Sequence, residues 1–231
     1  MRSCAPSRSA LFAAALLCAG SGRAAPVRAS GDRAAPVRAA PVTAAQVTLD
    51  GLLARFRAIP GLEAHFREEK RMALLAAPLL SEGTLHFAPP ARLARHTTAP
   101  AASTLLIDRD RLLFGDGQQS ETIPLDGNPV VRLFVDSFLK LLEGDQAALE
   151  RIFKVALQPR GEKWELRLTP RIAPMTQVID SIVIQGSGVV LSRMTIAETT
   201  GDQTVTVFDH VDAAHRYSPA ELARVFSLPA R

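Results

Sequence analysis

A chain of 231 residues, 47% apolar and 22% charged, suits one or two domains and is too ordinary in composition to be disordered, collagen-like or disulfide-dense. Its two cysteines cannot make a disulfide framework, and no C-x-x-C or Cys/His cluster suggests structural zinc. The net charge of +4 invites a nucleic-acid reading, so where that charge sits comes first.

Met1 to Ala24 carry Arg2, Arg8 and Arg23 without an acid, an apolar run over 10–19, and the small-x-small exit Gly22-Arg23-Ala24. The run is shorter than the roughly 20 residues of a membrane-spanning helix. The segment reads as a secretory signal peptide cleaved after Ala24. A lipoprotein signal acylated at Cys18 would place the bulky Leu17 where a small residue is expected. Cleavage removes Cys4 and Cys18, and a thiol-free mature chain suits an oxidising, periplasm-like compartment.

Residues 25–46 form the second segment. AAPVRA occurs at 24–29 and 34–39, and AAPV again at 39–42. The repeats have no periodic apolar face, and Pro26, Pro36 and Pro41 favour extended, solvated backbone, so this stretch reads as a disordered linker. It carries Arg28, Arg33 and Arg38 against Asp32. Residues 47–231 therefore hold 21 basic and 22 acidic side chains. That domain is close to neutral and lacks a basic, aromatic patch, which argues against nucleic acid.

In the domain, Asp50 is placed to cap a short helix with Leu52, Leu53, Phe56 and Ile59 at helical spacing, stopped at Pro60-Gly61. Period two follows. Leu62, Ala64 and Phe66 alternate with Glu63, His65 and Arg67; Leu85 and Phe87 with Thr84 and His86; Trp164, Leu166 and Leu168 with Lys163, Glu165 and Arg167. Turn signals at 108–110, Gly115-Asp-Gly117, Arg160-Gly161, Gly186-Ser-Gly188 and Gly201-Asp202 mark hairpins. They predict a meandering antiparallel sheet of about ten strands. Between Gln177 and Ile184, Val178, Ile182 and Ile184 share one face while Ile179 and Val183 take the other, so both faces of the sheet are partly covered.

A central helix is predicted from Asn128 (N-cap) and Pro129 (first position) to a stop at Gly144. Its strongly polar residues, Arg132, Asp136, Lys140 and Glu143, form one narrow stripe. Such a helix wants cover on about three sides. Either it packs as plain core, or it sits in the mouth of a curved sheet whose concave side holds something apolar. Ser218-Pro-Ala-Glu221 is a capping box opening a last short helix.

No G-x-S-x-G elbow, P-loop or H-E-x-x-H motif is present. His65, His86, His96, His210 and His215 fall on strands or their ends without ligand spacing. Catalytic residues, metal and cofactors are all expected to be none, and the chain is read as a non-enzyme.

The ordered set of a helix, Gly61-Leu-Glu-Ala-His-Phe66, Gly83-Thr-Leu-His-Phe-Ala-Pro-Pro90, Arg92-Leu-Ala-Arg95, Leu105-Leu-Ile-Asp108 and Arg111-Leu-Leu-Phe114 resembles the LolA family of periplasmic outer-membrane lipoprotein carriers. The later runs at 178–184, 191–198, 204–211 and Phe226-Ser-Leu-Pro229 fit the same order. The resemblance spans about 47–229. It implies a mainly β (α+β) fold, a curved antiparallel sheet or unclosed β-barrel with helices covering an apolar concave face. The family's Lys/Arg-Arg-Pro after the second strand is replaced by Ala88-Pro89-Pro90, so the arginine that ties the lid shut is missing at Pro89, with Arg92 or Arg95 as substitutes. Leu93 stands where a cavity aromatic is frequent. The chain also stops at Arg231 without the extra C-terminal strand of the longer carriers.

The resemblance implies a periplasmic, monomeric carrier moving acyl chains of lipoproteins, or a related amphiphile, from an inner-membrane exporter to an outer-membrane acceptor. The alternative is a lipid- or lipoprotein-sensing regulatory module. Strand parity lines the lipid cavity with Phe66, Leu85, Phe87, Leu93, Ile107, Phe114, Trp164 and Leu166, and the helix adds Phe134, Phe138 and Leu141. Parity leaves open which sheet face is concave.

Overall fold

The computed structural model describes residues 47–108, 111–125 and 129–228. The signal segment, the repeat linker and the Asn128 cap lie outside the described residues. Helix α1, Leu49–Arg57, is capped by Thr48, whose hydroxyl accepts from the Gly51 amide at 3.2 Å. This corrects the expectation for Asp50. The helix begins at Leu49, so Asp50 lies in its first turn, where a carboxylate favours the helix dipole.

The first six strands follow as β1 (Leu62–Arg71), β2 (Leu79–Ala88), β3 (Arg92–Ala99), β4 (Ser103–Asp108), β5 (Arg111–Gly115) and β6 (Ser120–Pro124). Helices α2 (Pro129–Leu142) and α3 (Gln146–Ile152) come next. Gly144 separates them at φ +67°, a left-handed conformation suited to glycine. Asp145 then caps α3, accepting from the Ala148 amide at 3.0 Å. The sequence reading contained no α3. Strands β7 (Phe153–Arg160), β8 (Lys163–Pro170), β9 (Ile179–Ser187), β10 (Val190–Glu198) and β11 (Gln203–Asp212) complete the sheet, and α4 (Pro219–Val225) opens on the full capping box of Ser218 and Glu221. Val178 is not part of β9; it ends the 3-10 turn Met175–Gln177 before it.

All eleven strands form one antiparallel sheet in the order β6-β5-β4-β3-β2-β1-β11-β10-β9-β8-β7. Two meanders, β1–β6 and β7–β11, join at the β1–β11 pair, and β6 and β7 remain as the two edges. The sheet is not closed. The connection carrying α2 and α3 leaves one edge at β6 and re-enters at the other, β7, so it has to cross from rim to rim.

Register shows which residues share a face. Leu62, Phe87, Leu93, Ile107, Leu112 and Ile123 form one cross-strand row, and Ala64, Leu85, Arg95, Leu105 and Phe114 the next. In the other meander, Leu157, Leu166, Ile184 and Met194 stand in line. This is the inner face, and it packs against the helices in one core that includes Leu52, Leu53 and Phe56 of α1 and Val135, Leu139, Leu141 and Leu142 of α2. The outer face carries a second, smaller core of Ala94, Leu106 and Val225, with Tyr217, Phe226 and Leu228 against it, where α4 lies on the sheet.

Candidate functional site

The inner face is the candidate site. Each predicted strand residue falls on it: Phe66, Leu85, Phe87, Leu93, Ile107, Trp164 and Leu166 are buried, and Phe114 is half-buried beside Leu105. From α2, Leu141 is buried and Phe138 half-buried against the same core. Of Phe134 only its place in α2 is described. The face is thus the one that α1 and α2 cover, which strand parity had left open.

The cover is close-fitting. Phe56 of α1 meets Trp164 edge-on, with ring centroids 6.0 Å apart, and the indole nitrogen donates to the Gly188 carbonyl at 3.0 Å. Arg57 donates to the Gly144 carbonyl at 2.6 Å and so ties α1 to the end of α2. The outward stripe of α2 pairs with itself: Arg132 with Asp136 at 3.7 Å, and Lys140 with Glu143 at 2.7 Å. The Glu143 carboxylate raises the Lys140 ammonium above its ordinary range. Beneath α2, a gap of about 10 Å³ remains between Ser137, Phe138 and Leu141 and the sheet residues Leu168, Ile182, Ile184 and Met194. That is room for about one water. A larger pocket of about 290 Å³ opens on the outer side between α4 and β4–β5, with Arg92, Asp108 and Phe226 at its walls. It lies over the small second core, away from the mostly apolar inner face. The inner face is therefore the better candidate despite its smaller gap.

One part of the inner face is polar, and the sequence reading missed it. Glu68 and Lys70 continue the parity of Phe66, and Arg95 that of Leu93. Arg95 donates to Glu68 at 2.9 Å and to Ser81 at 3.1 Å, and Thr206 donates to Glu68 at 3.0 Å. Lys70 pairs with Glu198 at 2.7 Å. These ions are largely buried, and burial is tolerable because each is paired. The lid-tying role considered for Arg92 or Arg95 meets a different geometry. Arg95 is held by its own sheet, and Arg92 pairs with Asp108 at 3.7 Å near α4. Continuing the alternation past Phe66 by two and four residues was the available signal for Glu68 and Lys70.

On the outer face, His86 is 7% exposed, beside Tyr217 at 3.1 Å and Glu63 at 3.4 Å, with the His96 ring centroid 5.5 Å away. Tyr217 donates its proton to the Leu62 carbonyl at 2.8 Å, leaving its oxygen to accept from the imidazole. Burial first, and then His96 and His215, push the His86 pKa down to about 4. Burial also raises the Tyr217 hydroxyl. These groups fix α4 to the sheet, with His96 reaching the Val225 carbonyl at 2.9 Å.

A family model described as outer membrane lipoprotein carrier protein LolA-like matches residues 39–226. No curated protein matches the chain. Among solved structures, a LolA superfamily protein from Nitrosomonas europaea is similar at 12% identity and a TM-score of 0.43, over 76% of this chain and 97% of that one. MucB of Pseudomonas aeruginosa, in complex with MucA, is similar at 12% identity and 0.45, over 75% and 60%. The lipoprotein LppX of Mycobacterium tuberculosis is similar at 11% and 0.38, over 68% and 93%.

Proposed function

The chain belongs to the LolA-like family of outer membrane lipoprotein carrier proteins, and on that premise we propose that it is a periplasmic carrier of acyl chains. Its cargo is a lipoprotein or a related amphiphile, taken from an inner-membrane exporter and passed to an outer-membrane acceptor. Residues 1–24 direct export and are removed, 25–46 serve as a linker, and the domain from 47 carries the cargo as a monomer without catalytic chemistry.

One observation carries this reading: a sheet face apolar over most of its rows is covered by a helix strung between the two free edges of an unclosed sheet. Each methylene moved from water to an apolar surface is worth about 0.8 kcal/mol, so a long acyl chain gains on the order of 10 kcal/mol. While empty, the face is filled by Val135, Leu139, Leu141 and Leu142 of α2. Cargo takes the place of α2, so binding shifts an equilibrium between a covered and an open state. Phe66, Leu85, Phe87, Leu93, Ile107, Phe114, Trp164 and Leu166 are the lining in this reading, with Phe134, Phe138 and Leu141 as the displaced surface.

The test is native mass spectrometry of the protein from its own periplasm, with a fluorescent fatty-acid probe on purified material. A bound amphiphile names the cargo. Phe114→Glu, half-buried on the lining, is expected to abolish probe binding with the fold retained. A protein that is always empty and never binds the probe refutes the carrier reading.

A further inference from the structure

At the seam between the two meanders, on the outer face, β1 and β11 bring His65, Asp209 and His210 together. One ligating atom from each lies within 4.8 Å of the others. In a regular strand Asp209 and His210 would point to opposite faces. A bulge prevents that: Glu63 pairs with Asp212 but His65 with Asp209, so β11 holds one extra residue. His210 takes it up at φ +49°, a left-handed conformation uncommon outside glycine, though less so for histidine, asparagine and aspartate. Its ring then lies 5.0 Å from that of His65, centroid to centroid, and its Nδ1 stands 2.7 Å from Asp209 Oδ1. His65 Nδ1 is 3.9 Å from the same oxygen. Arg67 donates to the other oxygen, Oδ2, at 2.6 Å.

The geometry points to a divalent transition-metal site formed by His65, His210 and Asp209, taking Zn²⁺ or a close relative such as Ni²⁺ or Cu²⁺. Two imidazoles and one carboxylate oxygen are the donor set these cations favour. Ligands at about 2.0–2.2 Å from a shared ion stand about 3.3 Å from one another, so His65 has to move in while the hydrogen-bonded His210–Asp209 pair opens slightly. Both imidazoles are well exposed, so side-chain rotation supplies that movement. Arg67 holds Oδ2 and so keeps Oδ1 turned toward the imidazoles, as outer-shell partners of metal ligands do. Three protein ligands leave a position open to water or an incoming group. Because His65 lies on the first strand and its partners on the last, the ion clips the one strand pair that is remote in sequence.

Isothermal titration of Zn²⁺ into the purified protein, without a histidine tag, tests this directly. One Zn²⁺ per chain is expected. His65→Thr keeps strand propensity and His210→Asn tolerates the positive φ, and each is expected to weaken binding at least tenfold. Zn²⁺ should raise the Tm of the unmodified protein and not of either variant. His215→Gln, in the neighbouring histidine group, should bind as the unmodified protein does. Equal affinity in the unmodified protein and either variant overturns the three-ligand site, as does loss of binding in His215→Gln alone.

Discussion

The guanidinium of Arg95 lies over the ring of Phe66, its central carbon 4.3 Å from the ring centroid, while its Nη2 reaches Glu68. A cation thus stands within the polar part of the inner face, held by a carboxylate and an aromatic ring. Removing one partner strands the other. Arg95→Leu alone is expected to cost about 3 kcal/mol, and Glu68→Leu/Arg95→Leu together much less than the sum of the single changes. Urea unfolding of the four proteins gives the coupling, and strictly additive losses would show that the pair is not a unit.

Leu139 is 4% exposed on the inner side of α2. Leu139→Ala removes packing worth about 2–4 kcal/mol from the covered state. If α2 opens to admit cargo, this variant takes up a fatty-acid probe faster, and amides of α2 exchange faster than those of β1. Leu62→Ala, equally buried but within the sheet, should lower overall stability without that acceleration.

Gly144 joins α2 to α3 at φ +67°, and a Cβ there would come 2.1 Å from the Leu53 carbonyl oxygen. Gly144→Ala therefore meets both backbone strain and a backbone wall. A loss of about 2 kcal/mol or more is expected. For a domain of this size that is a Tm lower by about 4–8 °C. An unchanged Tm would mean that α1 and α2 do not dock as described.

His86 is neutral in the fold because its pKa is pushed down to about 4, against about 6.5 unfolded. Above pH 6.5 both states are neutral at this group and its contribution is fully present. As pH falls from 6.5 toward 4 the unfolded state takes up the proton first, so stability declines through that window and levels off below it. Partial access to water and the nearby Glu63 trim the effect, leaving a loss of about 2 kcal/mol. Unfolding free energies at pH 7, 5.5 and 4 measure it. His86→Gln should flatten this part of the profile, while the contributions of the carboxylates remain.

Period two was enough to put Leu85 with Phe87, and Trp164 with Leu166, on one side of their own strands, because alternation is a local property of extended backbone. The capping box at Ser218 and the glycine stop at Gly144 were legible for the same reason. Short-range signals failed where two candidates lay close together, as with Thr48 and Asp50, and where an element was too short to show a period, as with α3.

Which face is inner could not come from parity, since that depends on where α2 crosses between β6 and β7. Nor could alternation show that Arg95 would find Glu68, which takes the register of three strands. The widest gap is at the seam. His65 and His210 look unrelated along the chain, and an ordinary strand would have turned His210 away from Asp209. Pairing of the first strand with the last brings them together, and one extra residue in β11 turns His210 toward them. Neutral charge, apolar content and strand rhythm are written in the order of residues. The covered face and the histidine cluster exist only once distant strands share hydrogen bonds, because a register is a relation between segments and no single segment contains it.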